Sequence, residues 1–296
     1  MTIRRRLDQE RKQDLSEEDL RILEEYQVVK TNKKDILLRN GRILLPEDPK
    51  LFRQILSEYH DNPQVGHPGF YKTWVMIRQQ YDSPKLRKYI KRYIKECDIC
   101  QRAKNRPHSH YDLHPTELTD LPWEQIYIDL LGPLPKDRET EADMIIVISD
   151  KMTKQVHFLP TTQKVNSEEI ANHYLNSVWR YHGIPKRVIS DRGPQFASKF
   201  MTTLLQRVGS KAALSTPYHP QTDGQSERLN QELETYLRMF VNYRQDDWAK
   251  WLPIAEFAHN VKPHSATGRS PFELLQGFNP PFTITTLSTE LLWVDD

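Results

Sequence analysis

The chain has 296 residues, 37% of them apolar, which is enough for two domains with filled cores. Its 42 Lys+Arg nearly cancel 40 Asp+Glu, so the net charge of +2 excludes a strongly basic or acidic chain, and two cysteines exclude a disulfide framework. No apolar run approaches the roughly 20 residues that cross a bilayer, and Arg4 to Arg6 lead into polar sequence without a signal-peptide core, so a soluble intracellular protein with no membrane partner is expected.

Residues 1–45 read as a small extension, with a charged helix from Ser16 to Tyr26 and two short strands, Ile36–Leu38 and Ile43–Leu45, about an Asn40-Gly41 turn. An amphipathic helix over Pro49–Tyr59 stops at the Pro/Gly-rich stretch 61–69, and helices over Tyr71–Tyr81 and Lys85–Glu96 follow. These place a mostly helical module at 46–104. Residues 105–122 carry Pro, His and polar side chains without hydrophobic periodicity, the composition of a linker. Beyond it the pattern becomes β-rich, with strands over Gln125–Leu131, Met144–Ser149 and Gln155–Pro160, then a helix from Glu168 to Tyr181. Strand and helix then alternate: Arg187–Ser190, Ser198–Val208, Ala212–Ser215 and Ser226–Tyr243. An α/β domain at 123–280 is predicted, a mixed five-stranded sheet flanked by helices. A last helix over Asp246–Val261 carries Trp248, Trp251, Leu252 and Phe257 as packing residues.

Within the helical module, six residues separate His60 from His67, 29 separate His67 from Cys97, and two separate Cys97 from Cys100. Imidazole and thiolate in this arrangement are the donors of a tetrahedral Zn²⁺ site, the Cys-x-x-Cys knuckle supplying two sulfurs from one turn. A module of this size buries limited apolar area, so zinc would contribute directly to its folding. A redox Cys-x-x-Cys should follow a strand in a βαβ unit, whereas this one follows a Lys-rich helix. His108, His110 and His114 are assigned to the solvated linker. From Lys85 to Arg106 there are nine basic residues against Glu96 and Asp98, a patch suited to phosphate, with Lys88 and Arg92 as candidate DNA contacts.

Three carboxylates stand out in the second domain. Asp129 interrupts the apolar run Ile126-Tyr127-Ile128-Asp129-Leu130-Leu131, where a charge is costly unless paired, protonated or metal-bound. Asp191 ends the strand Val188-Ile189-Ser190, and Glu227 lies in the first turn of the long helix. Taken singly they also read as surface charges or helix caps, and Asp143, Asp150 and Asp223 are rivals nearby.

Read with their flanking words, they have a specific likeness. Trp123 with Ile-Asp-Leu-Leu-Gly-Pro-Leu-Pro from Ile128, Ser190-Asp191-Arg192-Gly193-Pro194-Gln195-Phe196, and Thr216-Pro217-Tyr218-His219-Pro220-Gln221-Thr222-Asp223-Gly224-Gln225-Ser226-Glu227-Arg228 resemble the integrases of gypsy-type LTR retrotransposons, relatives of retroviral integrases. His60 to Phe70 and Cys97-Asp98-Ile99-Cys100-Gln101-Arg102-Ala103-Lys104 stand in the order of that family, and the likeness runs from about Pro46 to Pro280.

The resemblance implies an RNase H-like core in which Asp129, Asp191 and Glu227 hold two Mg²⁺ (or Mn²⁺) ions for 3′-end processing and strand transfer into target DNA. It implies DNA as partner, action in the nucleus after passage through a cytoplasmic particle, and at least a dimer, because two donor ends meet one target. Tyr218, Gln221, Gln225, Asn230 and Gln231 are expected beside the DNA, from the loop and from the helix carrying Glu227. The family usually continues into a small β-barrel, which is expected to be absent because residues 281–296 form only a tail. Two other readings share these features: a non-catalytic nucleic-acid-binding fragment of a polyprotein, and an RNase H-like nuclease acting on RNA·DNA hybrids.

Overall fold

The structure, a computed structural model, describes residues 25–30, 35–104, 121–190, 194–209 and 224–282. Among these, 25–60 and 68–96 gather into one compact unit and 61–67 with 97–282 into another.

The first unit opens with a meander of β1 (Tyr26–Lys30), β2 (Asp35–Arg39) and β3 (Arg42–Leu44). Asn40 (φ 50°) and Gly41 (φ 74°) both take the left-handed backbone that a two-residue hairpin turn requires. Strand β4 (Tyr81–Asp82) adds to β3 in parallel, with Ile43 opposite Tyr81. Tyr26 and Tyr81, expected at helix ends, are strand residues instead, because each finds a ladder partner. Residues 16–24 of the charged helix lie outside the described residues. Helix α1 (Pro49–Leu56) starts where the Asp48 side chain accepts a hydrogen bond from the Lys50 N–H at 2.8 Å and Pro49 fills the first helical position. It buries Leu51, Phe52, Ile55 and Leu56, then widens into a π turn, Ser57–Asp61, that carries Tyr59 and His60 inward. Helices α2 (Phe70–Arg78) and α3 (Leu86–Glu96) complete the unit.

The second unit contains the knuckle helix α4 (Asp98–Ala103) and a sheet of β5 (Gln125–Leu131), β6 (Met144–Asp150), β7 (Val156–Thr161) and β8 (Arg187–Ile189) in the order β7-β6-β5-β8. The first three strands are antiparallel and β8 joins β5 in parallel, the mixed sheet predicted. The fifth strand, expected at Ala212–Ser215, lies outside the described residues.

Strand periodicity sends alternate side chains to opposite faces, and each face has its own core. Ile126, Ile128, Ile146 and Ile148 pack with Ile170, Ala171 and Tyr174 of α5 (Ser167–Tyr174) and with Phe200 and Leu204 of α6 (Pro194–Arg207). On the other face, Leu131, Ile145, Val147, Val156 and Phe158 pack with Leu233, Tyr236 and Leu237 of α7 (Gly224–Phe240) and with Leu252 and Ala255 of α8 (Leu252–Asn260). With helices on both sides, β5 is apolar almost throughout rather than alternating. The fold is therefore α/β, as expected.

Helix α5 begins at a capping box between Asn166 and Glu169 and runs on through a π turn, Leu175–Trp179, into a last turn, Arg180–His182. The helix expected over Asp246–Val261 is shorter: Ala249–Trp251 forms a 3₁₀ turn, and α8 starts where Pro253 fits the first turn. A further helix, α9 (Pro271–Gln276), has its own capping box between Ser270 and Glu273.

One half-buried cluster against the buried Trp123 sets a pH dependence. The His182 ring stacks on Trp123 (centroids 3.9 Å apart), its Nε2 lies 3.1 Å from His157 Nε2, and His157 Nδ1 lies 2.9 Å from Glu256 Oε1. Burial first, then the neighbouring His157, holds the His182 pKa down to about 3. An unfolded histidine titrates near ~6.5, so below that value the unfolded chain binds a proton that folded His182 refuses. This contribution to stability is complete above about pH 6.5 and lost progressively as pH falls toward 3. The melting temperature is expected to fall between pH 7 and pH 5, less steeply in His182→Gln; equal slopes in both proteins would refute the assignment.

Candidate metal centre and carboxylate site

The four residues singled out for zinc come together. One donor atom from each of His60, His67, Cys97 and Cys100 lies within 4.8 Å of all the others. A tetrahedral zinc with bonds of about 2.0 Å to nitrogen and 2.3 Å to sulfur spaces its ligands roughly 3.3–3.8 Å apart. His67 Nδ1 is 3.5 Å from Cys97 Sγ and 3.9 Å from Cys100 Sγ. Cys97 stands at the N-cap of α4 and Cys100 in its first turn, so one short helix sets both sulfurs. His67 reaches the cluster from a left-handed backbone (φ 47°) after Gly66 (φ 61°).

The electrostatics suit a metal that binds neutral imidazole and thiolate. Burial lowers the His67 pKa against the opposing pull of Asp61, and Lys104 lowers it further. Without a metal, burial pushes the Cys100 thiol up to about 11. Two soft sulfurs and two imidazole nitrogens, all but Cys97 buried, are a donor set that fits zinc.

The loop between the two histidines also packs on α7. The Tyr236 hydroxyl donates to the Pro63 carbonyl at 2.9 Å, and the His67 ring lies 5.9 Å from that of Phe240. A Cβ at Gly66 would fall 2.7 Å from two carbons of the Tyr236 ring, so with its positive φ this position requires glycine.

The carboxylate site is described in part. Asp129 is half-buried on β5, opposite Val147, and by strand parity faces the side covered by α7. Its Oδ1 accepts from the Leu130 N–H at 2.8 Å and its Oδ2 from the Asn230 Nδ2 at 2.7 Å. Asn230 lies one helical turn beyond Glu227 on α7, so this bond ties the strand of one predicted carboxylate to the helix of another. Glu227 is exposed, and its Oε1 accepts from Gln231 Nε2 at 3.3 Å. Asp191, Tyr218, Gln221 and the Gln225 side chain lie outside the described residues.

Asn230 and Gln231 thus both engage carboxylates; the Asn230 Oδ1 is buried with no hydrogen-bond partner among the described residues. Of the basic stretch, Lys85 pairs with Glu47, Arg102 with Asp98, and Lys104 donates to the His67 carbonyl. Lys88 and Arg92 are exposed, with the Arg92 guanidinium over the Tyr89 ring. Among the rival acids, Asp150 is buried as the acceptor for the N–H groups of Trp123 and Thr153, a turn role, and Asp143 accepts from the Gln163 N–H.

Sequence reasoning missed the bond from Asn230 to Asp129 and the contact of Tyr236 with the zinc loop. The first had a local signal, an amide one turn after a glutamate on an amphipathic helix; the second had none, since it joins residues 173 positions apart.

Residues 47–106 match the integrase zinc binding domain family. The transposon Tf2-3 and Tf2-4 polyproteins of Schizosaccharomyces pombe (strain 972 / ATCC 24843) are each 32% identical to this chain over 269 residues, 90% of its length. The chain spans about a fifth of those relatives, 20% of each. A chain from the cryo-EM structure of simian T-cell lymphotropic virus intasome in complex with PP2A regulatory subunit B56 gamma aligns with a TM-score of 0.48 and 15% identity, covering 74% of both chains.

Proposed function

We propose, from the premise that this chain is a relative of the LTR-retrotransposon integrases, that it joins DNA ends to target DNA by metal-dependent phosphoryl transfer. The observation that carries the reading is the bond from Asn230 to Asp129. It sets a half-buried strand carboxylate against the helix that bears Glu227, an arrangement with no evident use in packing. The strand that carries Asp129, β5, also pairs in parallel with β8, Tyr127 opposite Ile189.

In this proposal Asp129, Asp191 and Glu227 hold two Mg²⁺ (or Mn²⁺) ions, oxygen donors being the ligands such hard cations take. When bound, the ions supply activation of the attacking hydroxyl and stabilisation of the leaving 3′ oxygen. The protein's own part is orientation. Asn230 donates to one Asp129 oxygen and the Leu130 N–H to the other, so the carboxylate is held in one orientation. The zinc cluster is assigned to His60, His67, Cys97 and Cys100 and serves folding rather than chemistry. Exposed Lys88 and Arg92 are assigned to phosphate contacts, and the working form to an oligomer acting in the nucleus.

The test is an assay with a labelled donor end, a target duplex and Mg²⁺ or Mn²⁺. Strand transfer is expected, and Asn230→Ala is expected to reduce it by about 10- to 100-fold, the usual effect of removing an outer-shell partner, while leaving zinc content unchanged. DNA binding without transfer would favour the non-catalytic reading, and cleavage of an RNA·DNA hybrid alone would favour the nuclease.

A further inference from the structure

Helix α7 runs for 17 residues, about 25 Å, and is held at two places. Its first half is tied by Asn230 to Asp129 and by Glu232 to Lys262, the latter at 3.0 Å. Its second half is held by the loop 61–67 through the Tyr236 hydroxyl, the ring of Tyr236 against Gly66, and Phe240 beside His67. This loop has no regular secondary structure beyond its first residue, and its local bonds are turn bonds, from the N–H groups of Val65 and Gly66 to the Asn62 carbonyl. Its end is also held from outside, by Lys104 donating to the His67 carbonyl, and His67 is one of the four residues placed to hold a metal.

We infer that the zinc-ligand loop is a brace for the helix carrying Glu227, and that Tyr236 is a positioning residue linking metal occupancy to the geometry of that helix. Zinc on His67 immobilises the loop, the loop holds Tyr236 and Phe240, and a stiff helix transmits their placement to its other end. The close approach at Gly66 makes the contact specific, because any side chain there would push the loop off the ring. The brace needs no interaction between the two metal sites, only one rigid element shared by them. Its link to catalysis rests on the reading of Glu227 given above.

The experiment uses the whole chain loaded with zinc and challenged with excess chelator, release being followed with a metal indicator dye. Tyr236→Phe keeps the ring and removes the hydroxyl that bonds Pro63, so zinc is expected to leave about fivefold faster, the size of one hydrogen bond. Tyr174→Phe is the control, since it removes an equivalent bond, to the Gly183 carbonyl at 2.9 Å, in the other core; its release rate is expected to match the parent. Amide exchange across residues 229–240, read by mass spectrometry, is expected to quicken severalfold when zinc is stripped from the parent protein. In strand transfer, Tyr236→Phe is expected to lower kcat and leave KM for DNA unchanged.

Equal zinc release from the parent and Tyr236→Phe, or an equal acceleration in Tyr174→Phe, overturns the brace, as does exchange over 229–240 that ignores zinc. A parent protein inactive in strand transfer that still shows the release and exchange effects overturns the integrase reading and leaves the brace standing.

Discussion

Asp129→Asn is expected to reduce strand transfer on the order of 10³-fold or more, with the melting temperature essentially unchanged. The substitution is isosteric and removes one negative charge. A neutral amide is a poor donor to a divalent cation, so the loss falls on the charge stabilisation that phosphoryl transfer depends on. The fold should tolerate it, because Asp129 is only half-buried and accepts from the neutral amide of Asn230. An asparagine there can still accept from the Leu130 N–H through its carbonyl. Transfer assays at matched protein concentration, with Mg²⁺ and Mn²⁺ separately, provide the measurement. Retained activity in both metals would remove Asp129 from the site; a large loss of melting temperature would make its role structural.

The second large effect is expected from the zinc cluster. Cys100→Ser should leave the purified chain with zinc far below one ion per molecule and unfold the helical module. Structural zinc contributes on the order of 10 kcal/mol of binding free energy at neutral pH, more than the helices α1 to α3 can replace by packing. Removing one of the four also leaves only three of the donors that tetrahedral zinc needs. Metal analysis with circular dichroism before and after chelation is the check. Full helicity without metal would show that the cluster is not structural.

Much of this was legible in the sequence where a signal is local. The strand over Gln125–Leu131 was read to the residue, since seven apolar-biased positions with one aspartate admit no helical period. The grouping of His60, His67, Cys97 and Cys100 was legible because two cysteines in one knuckle leave few roles in a Lys-rich helical module. The departures have physical causes. Tyr81 and Tyr26 became strand residues through pairing with segments distant in sequence, which propensity does not see. The helix before Trp251 tightened to 3₁₀ where the Ala249 N–H is claimed by the Asp137 carboxylate. Asp129 stood out in its apolar strand, but not the amide that orients it, because Asn230 reads equally well as a solvated position. The cluster of His157, His182 and Glu256 escaped notice because its members come from a strand, a helix end and a later helix.

The order of strands carries a last implication, for synthesis. β5, β6 and β7 pair with sequence neighbours, whereas β8 reaches β5 only after the crossover through α5. A chain interrupted before residue 187 would hold a finished meander whose Gln125–Tyr127 flank still offers its backbone N–H and C=O groups. Such truncated products are expected to stick to one another edge to edge, while the completed polypeptide covers that flank with its own later strand.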